Sequence, residues 1–565
     1  MGRATTRSLE RVAASVGVLN GAPIEFELVK DVPDGGVLFA LPALLLLGLL
    51  SRSREMFSMP EGFYPLESIF LLLALMALGR IPSLEALRYV APGEWGKLMG
   101  LDRIPEVRTL RQKITELCAE EGSAEHRSNA LAKQWMAEEP ECAGVFYADG
   151  HVRVYHGKLT DLPRRYVARE RLCLRGTTDY WVNAMDGRPF FVVSCAVDPG
   201  LLSVLREHIV PRRKVDAPNQ PTQKQLDAEP LLSRFTIVFD REGYSPDFFA
   251  QMKQERIAVL TYHKFPGELW PEQEFRQHQV SLVNGEQVSM ELAERGVQLS
   301  NALWVREVRH RSEKGHQSSI LSTDYCSDLT RVAVAMFARW CQEIFFKYMR
   351  QHYNLDRLVE YGTEAIPDTT RVINPAWRQL DSQIRRQNGL LSRELVEFAE
   401  IQLPQQMEPQ EVEAYQRDKG QLQQAIEERR QQILLLKAQR KALAKHIEIK
   451  DLPDKDRFHR LRAEKKHFID TIKLIAYRAE TALAQLAREK LRRLDDARSL
   501  IRQLFRTEVD LVPDQQNKTL TVHLHPMSTQ AHDEVVRHLC VELTATETVF
   551  PGTDLRLIYE ISGSC

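Results

Sequence analysis

Three acidic residues stand where the surrounding chain could present them to a metal ion. Asp149 closes the apolar run Val145-Phe146-Tyr147-Ala148 and is followed at once by Gly150; Asp240 closes Phe235-Thr236-Ile237-Val238-Phe239 and opens the triplet Asp240-Arg241-Glu242. An apolar strand that ends on an acid exposes that carboxylate at the rim of a sheet, although Asp-Gly after a strand is also an ordinary turn pair. Two carboxylates placed side by side repel one another unless a divalent cation lies between them. Glu343, within Arg339-Trp340-Cys341-Gln342-Glu343-Ile344-Phe345-Phe346-Lys347, supplies a third oxygen donor that would complete hard-oxygen ligation of a metal pair. Arg339, Glu343, Lys347 and Arg350 are spaced for one stripe of a helix with an aromatic opposite face, and Arg339 with Glu343 also reads as a plain surface ion pair.

The elements that must position these acids are legible in the texture of the chain. From Ala143 to Tyr262, short β-branched and aromatic runs predict strands at Gly144 to Ala148, Val152 to Tyr155, Pro189 to Ala196, Phe235 to Phe239 and Ile257 to Thr261. Helices are predicted at Leu201 to His208 and Pro246 to Gln254. Three strands on short links, then helix, strand, helix, strand, is the order of a ribonuclease-H-like mixed sheet, in which the first and fourth strands are neighbours. That order sets Asp149 beside Asp240. Residues 265–319 are too long and too strand-like for a loop and predict an inserted β-rich subdomain. A helix is expected from Leu329 to His352, with Phe337, Trp340, Ile344 and Tyr348 on one face.

Around this core the chain reads as a multidomain α/β protein, since 565 residues exceed what one hydrophobic core usually serves. The expected divisions are an N-terminal segment (1–34), a helical domain (35–135), the ribonuclease-H-like core (140–362, insertion about 265–319), a helical or coiled-coil hairpin (365–505) and a small α+β cap (506–565). In the helical domain, Pro105 opens a helix bearing Arg108, Arg111 and Lys113, with Arg103 just before it. Such a helix suits a DNA major groove, and equally a solvated surface. The apolar runs Val37 to Leu50 and Ile69 to Leu78 fall short of the roughly 20 residues a spanning helix needs and read as buried helices, so no membrane is expected.

In the hairpin, Leu422, Ile426, Ile433, Leu436, Leu443 and Ile447 follow heptad spacing, with Arg429 and Arg440 as misfits. A second stretch, Leu461, Phe468, Ile472, Ile475, Ala479, Ala482 and Leu486, is its expected antiparallel partner. The loop Pro163 to Arg171 is basic, with Arg164 and Arg165 preceding Tyr166, and reads as either a DNA contact or an exposed loop.

Composition narrows the function classes. With 43% hydrophobic and 27% charged residues the chain is a folded, soluble type, and its net charge of −1 means that any nucleic-acid contact depends on local basic patches. The eight cysteines lack a CxxC pair, which argues against structural zinc and against a disulfide framework, and fits a reducing cytoplasm. There is no GxSxG elbow, no cysteine-nucleophile motif and no GxxxxGK[ST] phosphate loop.

The order of Asp149, Asp240 and Glu343, the Asp240-Arg241-Glu242 triplet and the Arg339-x3-Glu343 helix resemble the DDE transposases of bacterial insertion sequences, cut-and-paste branch included. The resemblance runs from about Gly35 to Tyr361. It departs from the family's Tyr-x2-Arg-x3-Glu-x6-Lys pattern at Met336, where tyrosine is expected, and at Arg350, where lysine is. It implies a phosphoryl-transfer enzyme that cuts DNA and joins strands, using two Mg2+ ions, replaceable by Mn2+, held by Asp149, Asp240 and Glu343. Asp149 would bridge the ions; Arg241, Arg339, Lys347 and Arg350 would neutralise phosphate charge. The implied partners are double-stranded DNA, as terminal inverted repeats and target, and further copies of the chain as a homodimer or higher oligomer on the bacterial nucleoid. Two other readings share these residues: a ribonuclease-H-like nuclease that does not join strands, and an inactive DNA-binding derivative.

Overall fold

The β-branched and aromatic runs between 145 and 322 build one mixed sheet. In the computed structural model, which describes residues 7–157, 162–167, 169–194, 199–283, 285–357, 362–402 and 409–562, that sheet lies mostly in the larger of two units. The larger unit comprises residues 1–154, 178–362 and 462–565; the smaller comprises 155–177 and 363–461.

Across the sheet the strand order is Leu172–Asn183, Val145–Val154, Thr236–Val238, Ala258–Tyr262, Gln317–Ser322, Trp304–Arg311, Gln287–Gln298, Arg276–Ser281, with Pro189–Ser194 also paired to Leu172–Asn183. Val145–Val154, Thr236–Val238 and Ala258–Tyr262 run parallel. The paired stretches of these strands, Val145–Tyr147, Thr236–Val238 and Ala258–Leu260, are nearly all apolar because both of their faces are covered. Phe146, Ile237 and Val259 face one cluster of the core, and Tyr147, Val238 and Leu260 the other.

Several expectations are corrected. The two short strands predicted around Asp149 are one strand, Val145–Val154, so Asp149 and Gly150 sit within it and not at its end. Its neighbour Leu172–Asn183 outlasts it and keeps it extended, and Gly150 is where the ring of Tyr180 packs, 3.1 Å from where a Cβ would stand. Leu172–Asn183 itself is a strand that was not among those predicted. The predicted β-rich insertion is not a separate body: Gln317–Ser322 pairs antiparallel with Ala258–Tyr262, so its four strands extend the main sheet. The helix from Leu201 continues through a π-helical stretch, Leu205–Ile209, to Asp216. Of the strand predicted to Ala196, Cys195 and Ala196 lie outside the described residues, as do Cys565, Tyr361 and the side chain of Tyr166.

The helix expected from Leu329 to His352 is two helices, Leu329–Phe337 and Arg339–Tyr353, joined at Ala338. Its buried face is also different. Gln342, Phe345, Phe346, Met349 and Tyr353 point inward, whereas Trp340 and Ile344 are 62% and 59% exposed. Met336 is fully buried, in a cluster with Leu260, Val308 and Ile320.

The helical part between 35 and 138 and the terminal α+β part share one hydrophobic core with the sheet. Most of both apolar runs is buried there, in Gly35–Ala40 and Leu41–Leu46, where Leu46 alone is largely exposed, and in Leu66–Leu78, and among the described residues no helix is long and apolar enough to cross a membrane. Val29–Val32 joins Val509–Asp514, Thr519–Leu524 and Arg556–Ile561 in a four-stranded sheet, so a segment near the start of the chain completes the α+β part. Gly36 is required at that junction, because a Cβ there would stand 1.8 Å from the Leu504 carbonyl oxygen.

Glu464–Arg488, expected to complete a hairpin with the preceding heptads, is instead a core helix of the larger unit, packed on Leu66–Leu78. Phe468 lies edge-on to Phe57 and Phe70. The helix also carries charge into the interior. Arg153 pairs with Asp179 at 3.0 Å and with Asp470 at 2.6 Å, while Lys466 pairs with Asp179 at 2.8 Å and Asp470 at 3.4 Å. Two acids and two bases cancel, which makes burial of all four tolerable and ties this helix to the strands beside Asp149.

In the smaller unit, a hairpin does form, between Pro375–Glu400 and Pro409–Ala442. Ile426 and Ile433 are buried in it. The two heptad misfits are its interhelical ties: Arg429 grips Glu394 through both guanidinium edges and bonds Gln387 at 2.6 Å, and Arg440 pairs with Asp381. Arginine at a core position is tolerated when its partner is on the facing helix.

Candidate active site

Register brings two of the predicted acids together. Val145 lies opposite Thr236 and Tyr147 opposite Val238, and two residues beyond this last pair the chain carries Asp149 on one strand and Asp240 after the other, near enough for their charges to act on one another. The next strand continues the pattern, with Val238 opposite Leu260. Neighbouring strands are about 4.8 Å apart, and the two carboxylates are close enough for the charge of Asp240 to act on Asp149.

Each acid accepts a hydrogen bond from a nearby backbone amide. Asp149 accepts the Gly150 amide at 2.8 Å, and Asp240 accepts the Glu242 amide at 2.8 Å, capping the single helical turn Arg241–Gly243. The Asp240 carbonyl accepts Thr261 Oγ1 at 3.1 Å, which fixes the turn to the adjoining strand. Burial, and then the negative charge of Asp240, push the Asp149 carboxyl up to about 7, with Glu242 adding to the repulsion. Arg339 and the Gly150 amide oppose this without cancelling it.

Glu343 reaches the pair through an arginine. Arg339 donates to Glu343 one turn on and sits 4.0 Å from Asp149, so one guanidinium lies between the first and third acids. Its Cζ is 5.9 Å from the centre of the Tyr262 ring, and Arg241 approaches the same ring at 5.7 Å. The three acids do not form a closed ligand set as they stand. Among the described residues, the trio of ligand-type side chains with atoms all within 4.8 Å is Asp31, Asp510 and His525, on the terminal sheet.

The helix carrying Glu343 is registered by groups that sequence reasoning missed. Buried Gln342 donates Nε2 to the Tyr147 carbonyl at 3.1 Å, the Trp181 carbonyl at 3.3 Å and Asn183 Oδ1 at 2.8 Å. Tyr147 Oη in turn donates to the Ala335 carbonyl at 2.5 Å. His151, two residues beyond Asp149, stacks on Phe346 with ring centres 5.0 Å apart and meets Asp356 Oδ1 at 2.5 Å. The adjacency of Gln342 to Glu343 was the available signal: a polar side chain on the inward face of an amphipathic helix needs a buried partner.

The basic residues are distributed unequally. Arg339 and Arg241 flank the acids; Lys347 is exposed on the Glu343 helix; Arg350 bonds Asp356 at 2.8 Å. On the helix Val107–Leu117, Arg111 pairs with Glu85 and Lys113 with Glu116 at 3.3 Å, Arg103 lies 3.9 Å from Glu106, and Arg108 is exposed. Arg164 and Arg165 belong to the smaller unit, in a strand paired with Leu172 to Arg175, and are not part of the acidic cluster's unit.

Two acids thus lie at the parallel centre of a mixed sheet, with a third on a helix bonded to that sheet. Residues 2–563 match the model of a family described as Transposase protein, and the chain belongs to that family. No curated protein matches it. Among solved structures it is similar to a piggyBac transposase in a synaptic complex with hairpin DNA, at 11% identity and a TM-score of 0.28, covering 50% of this chain and 57% of that one.

Proposed function

We propose that this transposase-family chain is a DDE-type enzyme that cleaves DNA and transfers the cut strand of a bacterial insertion sequence. The observation that carries the reading is that Asp149 and Asp240, each two residues beyond the last parallel pair of adjoining strands, repel one another, with Arg339 linking Asp149 to Glu343. The order of antiparallel strands, then Val145–Val154, Thr236–Val238 and Ala258–Tyr262 in parallel, supports a ribonuclease-H-like core.

The residues fit a divalent metal pair. Their donors are hard oxygens, and Asp149 and Asp240 crowd negative charge that protonation relieves only up to about pH 7. Asp149, between the other two acids, would serve both ions, and Asp240 and Glu343 one each. Bound there, Mg2+ supplies activation of a water or a 3'-hydroxyl and steadies the leaving oxygen. Within the chain, Arg339 neutralises Asp149 and Glu343 and is the cation positioned to take up phosphate charge, with Arg241 across the Tyr262 ring. Hydrolysis and strand transfer then differ only in which hydroxyl attacks. Buried Met336 cannot offer a ring to DNA, so it has no role in a hairpin step.

The test is a strand-joining assay on duplexes bearing candidate terminal repeats, with Mg2+ titrated and Asp240→Ala as control. Joined product from the wild-type chain alone is expected. Cleavage without joining would assign the nuclease reading, and equal activity of both proteins would remove the acids from the chemistry.

A further inference from the structure

The second half of the Glu343 helix ends in a cation cluster that the carboxylate site does not use. Tyr348 is ringed by three guanidinium groups, with the Cζ atoms of Arg498, Arg502 and Arg80 at 4.6, 5.7 and 5.9 Å from its centre. Arg498 also stacks on Tyr477 at 4.7 Å, and Arg80 on Tyr353 at 4.3 Å. Against them stands one buried acid, Glu480, and its oxygens are occupied by Arg80 at 2.7 Å, Tyr353 at 2.5 Å and Tyr348. Among the described residues no carboxylate lies within 4.0 Å of Arg498 or Arg502, although these are like charges one helical turn apart, which destabilises a helix.

Donors are left over as well. Arg80 Nε and Arg498 Nη1 are buried and have no hydrogen-bond partner among the described residues, and the Arg80 side chain is only 10% exposed. Arg502 reaches the cluster from a half-exposed position, giving its Nη1 to Tyr348 Oη at 3.1 Å. His352, its ring tilted against that of Tyr348 with centres 4.5 Å apart, reports the local field: burial and then Arg502, Arg80 and Arg498 drive its imidazole down to about 4, with Glu480 opposing. A half-buried excess of positive charge with unused N–H donors is the environment in which an anion gains most, because guanidinium groups bind phosphate oxygens through charge-assisted, often paired, hydrogen bonds.

We propose that Arg498, Arg502 and His352, backed by Arg80, form a binding site for a phosphodiester of the nucleic-acid backbone at the far end of the helix that carries Glu343. This rests on the reading that the chain acts on DNA. A phosphate seated here would anchor the strand at a point set by the same helix as the third acid, away from the reacting bond. The sequence concealed the site because its groups come from positions 80, 352, 498 and 502, which only the tertiary fold collects.

The test compares the wild-type chain, Arg502→Gln, Arg502→Lys and Arg498→Gln/Arg502→Gln in binding a short duplex across a salt series, with inorganic phosphate as a second probe in thermal melts. The log-affinity against log-salt slope should become shallower by about 0.9 for each phosphate that the Gln variants no longer neutralise, and be restored by Arg502→Lys. Phosphate that stabilises the wild type but not Arg502→Gln, with unchanged duplex slopes, would assign the site to free phosphate and overturn the backbone proposal. Unchanged slopes with no phosphate effect would make the cluster internal packing only. A wild type that binds no duplex defeats the DNA reading itself, while the phosphate melts still decide whether an anion binds. Should Arg502→Gln not fold, the wild-type His352 resonance decides: duplex binding must raise its titration midpoint, and a midpoint unmoved by bound duplex refutes the proposed site.

Discussion

Replacing Asp149 by asparagine should make the metal-free protein more stable, and increasingly so as pH rises. The Asp149 carboxyl is displaced from its ordinary 3.8 to about 7 by burial and by Asp240, so the native state holds a proton that the unfolded chain has already lost. A raised acid of this kind costs nothing below about pH 4, where both states are protonated, and costs most above pH 7, where the native carboxyl must ionise beside Asp240. A displacement of about three pH units at about 1.4 kcal/mol each sets a ceiling of about 4 kcal/mol. A quarter of the Asp149 side chain is exposed, so solvent screening reduces this to about 2 kcal/mol. In EDTA, urea denaturation of wild type and Asp149→Asn should therefore coincide near pH 4 and separate in favour of the variant by pH 8. Mg2+ should then stabilise the wild type, by the linkage of a ligand that binds only the folded state, and not the variant. If the difference between the two proteins does not change between pH 4 and pH 8, Asp149 is not pressed against Asp240 and the adjacency argument fails.

The other predictions concern the frame around the site. Gln342→Leu leaves Asn183 Oδ1 without its buried donor and should cost about 1 to 3 kcal/mol in chemical denaturation, with faster amide exchange along Arg339–Tyr353. Asp470→Asn leaves Asp179 as the one acid of the four-charge cluster facing both Arg153 and Lys466, an excess of buried positive charge that should cost about 3 kcal/mol in the same assay. Asp179 and Asp470 are both held below the ordinary carboxylate range, despite burial, by Lys466 and Arg153. Their stabilisation is complete above about pH 4 and is lost as pH falls through their native values, so the larger unit should acid-unfold cooperatively below pH 4, and Asp470→Asn should weaken that dependence. In the smaller unit, Arg429→Ala should cost no more than about 1 kcal/mol, since the Arg429–Glu394 pair is partly exposed, and a double-mutant cycle with Glu394→Ala measures the coupling.

What the residues alone could determine was local. Continuous β-branched and aromatic runs located the parallel strands at 236–238 and 258–262, because burial on both faces leaves its mark on each successive residue. The acids at 149 and 240 were legible for the same reason: a carboxylate in or after an apolar strand is chemically conspicuous. Pairing was not legible. Whether Asp149 ended a strand or lay within one depended on Leu172–Asn183, 23 residues away in the chain at its nearest, running alongside it. The heptad at 422–447 announced a partner without saying which; Arg429 and Arg440 chose Pro375–Glu400 through Glu394 and Asp381, and left Glu464–Arg488 to the core of the other unit. Trp340 and Ile344 looked like the buried face of the Glu343 helix until Gln342 bonded the sheet and turned them to solvent. Periodicity constrains which side of an element is apolar, but hydrogen bonds and ion pairs between distant segments decide what it meets, and those segments become neighbours only when the chain is folded.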